Sequence, residues 1–121
     1  MPPASTIGQS LPRVDGGEKA AGLTRFAADL VQPGMLHARL VLSHHAHARV
    51  LKVDARAARA VPGVVGVFTG RDLPLPHQDP SDRNRCPLAL DRVRFVGHPV
   101  VAVVAESEAV AEDAAALVEV E

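Results

Sequence analysis

Three of the six histidines fall in one stretch, Ser43-His44-His45-Ala46-His47-Ala48-Arg49. Imidazoles set this close can chelate a transition metal. His45 and His47 are two residues apart, so on a strand they would share a face, with His44 on the other. A metal centre needs a third ligand. His37, His77 and His98 supply one only if the fold brings them in. No cysteine pair, HExxH pattern or obvious acidic ligand accompanies them. The simpler account places His47 in the packed interior, hydrogen-bonded to backbone, and the other histidines on the surface.

Other reactive side chains are equally isolated. Ser43 stands beside a histidine but lacks a nucleophile elbow and an orienting acid. Glu106, Glu108, Glu112 and Asp113 read as the solvated face of a helix rather than a general-acid pair. Thr69-Gly70-Arg71-Asp72 has the look of a phosphate turn without its glycine cluster, and neither GxGxxG nor GxxxxGK[ST] occurs. Cys86 lies in a polar, arginine-containing stretch and is expected to be a surface thiol without a role. As the only cysteine it forms no internal disulfide, and it falls short of the about four ligands an iron–sulfur cluster takes. No catalytic, cofactor-binding or metal-ligating residue is assigned.

The elements that would position these groups can be read from periodicity. Leu36, Ala38, Leu40 and Leu42 alternate with His37, Arg39 and Val41, the pattern of a half-buried strand. Ala48 to Val53 is a second strand. Asp54 suits a helix N-cap before Ala55 to Ala60, and Pro62 ends that helix. Val64 to Phe68 is a buried strand. A turn follows at Thr69–Pro74, then a proline-rich loop over 74–87, expected to be the most mobile internal segment. Arg92 to Val96 alternates with Val93 and Phe95 inward, and Gly97-His98-Pro99 breaks the run. Val100 to Ala105, apolar on both faces, is the central strand of a sheet. Ser107 caps the last helix, whose core face is Val110, Ala114, Leu117 and Val118. Val118 to Glu121 begins a further strand with no breaker to close it, as in a chain that was cut or continues. Asp15-Gly16-Gly17 is a turn signal. Residues 1–12 are expected to be a flexible entry, and 13–121 a single domain.

The order β-β-α-β, loop, β-β-α-β lacks a regular βαβ rhythm, so an α+β fold is expected, a mixed sheet packed with two helices. At 121 residues, one core can bury roughly two thirds of the unfolded surface. Hydrophobic residues make up 47% and charged residues 22%, an ordinary globular balance. Three phenylalanines are the only large aromatics and the net charge is -1, which disfavours nucleic acid. Residues 1–60 carry eight Lys/Arg against four Asp/Glu, and 61–121 carry five against ten. A basic face for an acidic partner is one reading; an acidic last helix with chance elsewhere is the other. The N-terminus resembles no secretory signal, and no apolar run approaches the ~18 residues of a membrane span. A cytoplasmic protein is expected.

Several blocks, in order, resemble one family. Arg13-x-Asp15-Gly16, then Lys19, Gly22, Phe26 and Asp29, open the match. Pro33-Gly34-Met35-Leu36-His37-Ala38 and Ser43-x-His45-Ala46-His47-Ala48-Arg49 with Val53-Asp54 follow. Next come Ala60-Val61-Pro62-Gly63-Val64 and Val67-Phe68-Thr69-Gly70-x-Asp72-Leu73-Pro74. Pro87 through Glu106, and Ala111 through Glu121, complete it. The chain resembles the N-terminal a/b hammerhead domain of the xanthine dehydrogenase and aldehyde oxidase family, the molybdenum hydroxylases. The family often has proline at the position of His44, which makes that histidine incidental.

The resemblance implies a structural part of the molybdopterin-binding subunit, with molybdopterin, iron–sulfur clusters and flavin held by other domains and subunits. Those domains and subunits are the implied partners, and the chain alone is expected to be inactive. Two alternatives stay open: a free-standing interaction domain docking on enzyme subunits, and a histidine-cluster metal module. Weak self-association is expected of the isolated chain, through an exposed sheet edge or the surface that would face the large domains.

Overall fold

A computed structural model of the chain describes residues 7–74 and 86–121. Two compact units are distinguished, Met1–Pro33 and Gly34–Glu121.

The first unit holds a five-residue helix, α1 (Gly16–Ala20), and one 3-10 turn at Ala27–Asp29. The expected turn at Asp15–Gly17 is thus the start of a helix. Asp15 explains this: its carboxylate meets Arg13 and, at 2.7 Å, the Lys19 ammonium one turn on. None of residues 7–33 is buried.

The second unit is built on a three-stranded antiparallel sheet. Its strands are β1 (His37–Leu42), β4 (Val64–Thr69) and β6 (Pro99–Ala105), in the order β1-β6-β4. The apolar run of β6 takes the central place, as its sequence predicts. Two ribbons complete the strands. β2 (Ala48–Arg49) pairs with β5 (Arg92–Val93), and β3 (Val53–Asp54) with β7 (Glu119–Val120). Two helices, α2 (Arg56–Arg59) and α3 (Glu108–Ala116), belong to the same unit.

The α+β class and the order of elements follow the sequence reading. The expected single mixed sheet is instead three small ones, and every pairing among the described residues is antiparallel. The cause lies in the run from Ala48 to Asp54. Val50 donates its N–H to Asp91 O on one side at 2.8 Å, and Leu51 donates to Glu121 O on the other, also at 2.8 Å. One strand-like run therefore serves two partners and divides into β2 and β3. The proline-rich loop expected over 74–87 lies outside the described residues for 75–85.

The core is made of small side chains. Val101, Val103, Ala105, Ala58 and Ala114 have no exposed surface. A buried valine contributes roughly 1.5–3 kcal/mol, so the two valines of β6 anchor the unit. α3 packs on this face through Ala111 and Ala114. The expected helix face was shifted: Leu117 is exposed at the helix end, and Ala111 takes its place in the interior. Ser107 does cap α3, accepting the Val110 N–H at 3.3 Å. The N-cap of α2 is Ala55 rather than the expected Asp54. Asp54 stands one residue further out, where its Oδ1 accepts the Arg56 N–H at 3.1 Å.

Two glycines are required by geometry. Gly97 has φ +84° and sits third in the turn Phe95-Val96-Gly97-His98, closed by His98 N–H to Phe95 O at 3.1 Å. That is the position where a type II turn needs a positive φ. A Cβ on Gly70 would lie 2.8 Å from the Leu88 carbonyl oxygen, so only glycine allows that close backbone approach.

Candidate functional site

The histidine cluster is not on a strand. β1 ends at Leu42 and β2 begins at Ala48, so Ser43 to His47 form the connecting turn. Ser43 shapes it: Oγ accepts the His45 N–H at 3.0 Å and donates to the His45 carbonyl at 3.1 Å. Its hydroxyl is thereby occupied with backbone, in no nucleophile arrangement. His44, His45 and His47 are all exposed. His47 is therefore not the packed histidine the sequence suggested. A turn has no inward face to bury it.

The packed histidine is His98, only 5% exposed. Its Nδ1 accepts the Arg94 N–H at 3.2 Å, and its ring stacks on Phe95 at 4.5 Å between centroids, 18° from parallel. The turn around Gly97 folds the imidazole back over its own strand. His98 also ties down the histidine-rich turn through its backbone. Ser43 N–H donates to His98 O at 3.0 Å, and Gly97 N–H to Ser43 O at 2.8 Å. Gly-His-Pro after an alternating run is the available signal, but by itself it marks only a break in the strand.

Cys86 is likewise inside rather than on the surface. It is buried, and its Sγ–H donates to Leu88 O at 3.0 Å. The Thr69–Asp72 turn is closed on itself. Asp72 Oδ2 accepts both the Thr69 N–H and its hydroxyl at 2.7 Å, and these bonds lower the Asp72 pKa. The two Thr69 donors are thereby spent on Asp72. Glu106, Glu108, Glu112 and Asp113 are exposed, in keeping with a solvated helix face. Among the described residues no three His, Cys, Asp or Glu side chains gather as a metal site would require.

A cleft of about 350 Å³ opens between the sheets. Val41, Val50, Val93, Val100 and Val118 form its walls, with His44, His45 and Arg49 among its polar lining. No pair of these groups is set up for proton transfer or nucleophilic attack. No helix among the described residues is long and apolar enough to cross a membrane.

Small antiparallel sheets closed by short helices define an α+β domain. Residues 21–121 match the family described as aldehyde oxidase and xanthine dehydrogenase, a/b hammerhead domain. The chain belongs to that family.

Subunit gamma of the 6-hydroxypseudooxynicotine dehydrogenase complex of Paenarthrobacter nicotinovorans is 40% identical over 95% of this chain, which spans 16% of that protein. A putative xanthine dehydrogenase molybdenum-binding subunit of Escherichia coli K12 is 38% identical over 90% of the chain, again 16% of the relative. The structure of CO dehydrogenase from Oligotropha carboxidovorans superimposes with a TM-score of 0.79 at 37% identity, covering 94% of this chain and 15% of that one. The chain thus spans about a sixth of the length of these relatives.

Proposed function

We propose that this chain is a non-catalytic structural domain of a molybdenum hydroxylase large subunit. The family match over residues 21–121 carries the reading. In it, 13–121 act as one hammerhead domain, and neighbouring domains and subunits bring molybdopterin, iron–sulfur clusters and flavin.

An iron–sulfur cluster does not fit the residues of this chain. A single cysteine is far from the about four thiolates of an iron–sulfur cluster. Its thiol is turned to a backbone carbonyl. Of the described histidines, His44, His45 and His47 lie on an exposed turn, His98 is stacked and hydrogen-bonded inside, and His37 stands on β1. The chain's own contribution is shape: a rigid valine–alanine core that presents fixed surfaces to its neighbours. A cytoplasmic setting is part of the reading, in keeping with a chain that forms no internal disulfide.

The test is a transplant. This chain replaces the matching segment of the Paenarthrobacter subunit gamma. A soluble subunit with molybdenum content near the parent's is expected. An insoluble or molybdenum-free product rejects the structural-domain reading. In parallel, the purified chain should carry no molybdenum, iron or flavin by metal analysis and visible absorption. Stoichiometric content of any of them would reject the non-catalytic assignment.

A further inference from the structure

Antiparallel partners project to the same face of a sheet. The rows His37/Ala105, Arg39/Val103/Val67 and Val41/Val101/Thr69 form the face that α3 covers. The rows Ala38/Val104/Gly66 and Leu40/Ala102/Phe68 form the opposite face. No charged or hydrogen-bonding side chain stands in those two rows. A sheet face meant for water carries polar residues at alternate positions. Here the strand's charge, Arg39, is on the covered side, and Leu40 is on the open one. Leu36, Leu40 and Phe68 remain 46%, 45% and 39% exposed.

The area decides what this face suits. At roughly 200 Å² per large apolar side chain, three of them exposed by somewhat less than half leave roughly 250 Å² open. Two copies meeting through these side chains would bury roughly 500 Å², below the ~1,200 Å² of stable, specific complexes. A tethered neighbour faces no such threshold, because the tether supplies an effective concentration of about millimolar. The relatives hold the matching segment within a chain about six times as long.

We propose that the open face of β1, β6 and β4, centred on Leu40 and Phe68, is the seat on which the remainder of a molybdenum hydroxylase large chain packs. The proposal rests on the structural-domain reading above and adds to it the surface and its occupant. The occupant presents an apolar, uncharged surface here, since a charge against Leu40 and Phe68 would be buried without a partner.

Thiol labelling tests this in the transplanted subunit. Ala38→Cys and Leu40→Cys report on the face, and Arg56→Cys, at a position 86% exposed on α2, reports on open surface. In the isolated chain at low micromolar concentration, all three should react with maleimide at comparable rates. In the assembled subunit, the two face positions should slow by about tenfold or more relative to position 56, as for an interface open less than about a tenth of the time. Equal labelling in a soluble, molybdenum-loaded subunit overturns the proposal and leaves the domain reading intact. Failure of the transplant to assemble removes the domain reading, and the proposal with it. Protection in the isolated chain, with a dimer at low micromolar concentration, makes a second copy the occupant and overturns the proposal.

Discussion

Arg39 Nη2 lies 3.2 Å from Glu112 Oε1, joining strand β1 to helix α3 across the covered side of the sheet. Both side chains are more than half exposed, so water and salt screen the pair. The contact matters for orientation. It marks which side of β1 faces the helix, and by alternation it leaves Leu36 and Leu40 on the other side. A double-mutant cycle with Arg39→Ala and Glu112→Ala should give a coupling of about 0.2–1 kcal/mol by urea unfolding, falling in high salt. A coupling well above that range would mean the pair is shielded in solution.

His98 should carry the stability that the sequence assigned to His47. His98→Ala removes a stacked ring and leaves the Arg94 N–H without its acceptor. A loss of about 1–3 kcal/mol is expected. His47→Ala, on an exposed turn, should stay within about 0.5 kcal/mol of the parent. Thermal and urea unfolding of the two variants decide this. A reversed ranking would contradict the burial described for both residues.

The fold was legible where one segment settles its own fate. Val100–Ala105 is apolar on both faces, and only a central strand suits it. Ser107 before an acidic first turn starts a helix whatever surrounds it. What stayed hidden depends on partners far away in sequence. The alternation of Leu36–Leu42 gives two faces but not which is covered. Ala111 and Ala114 settle that, because small side chains let α3 approach Val101 and Val103 closely. Ala48–Val53 reads as one strand, yet its two edges find different mates. For the candidate site, histidine spacing suggested a strand face, but the stretch is a turn. The buried imidazole, His98, owes its place to a positive φ at Gly97 that spacing does not reveal.

Asp54 should give acid sensitivity of a defined sign. Side-chain hydrogen bonds from Arg56, and then the Arg56 N–H, lower its pKa from 3.8 to about 2. A carboxyl depressed in the folded state stabilises the fold above its unfolded pKa, and loses that contribution as pH falls through the folded value. The window is therefore from pH 3.8 down to about 2. Asp54→Asn should flatten the fall in stability across it. Carboxyl NMR should show a midpoint near 2 in the parent, rising toward 3.8 in Arg56→Ala. An unchanged midpoint in that variant would remove Arg56 as the cause.

The apolar face gives the last prediction. An excised domain with Leu36, Leu40 and Phe68 facing water should self-associate weakly, as exposed apolar patches do. The area argument places this association at high concentration, with a monomer at low micromolar. Leu40→Lys puts a charge at the centre of the patch without touching the buried face of β6. Its stability should stay within about 0.5 kcal/mol of the parent, because residue 40 is half exposed and outside the valine–alanine core. Its sedimentation should lose the concentration dependence that the parent shows. Lys at position 39, on the covered side, serves as the control: Arg39→Lys keeps the charge and leaves the open face intact, so association should persist. If Leu40→Lys self-associates as the parent does, the contact runs through another surface. The free edges of β1 and β4 would then be the next to probe, by proline substitution at positions whose N–H groups point away from β6.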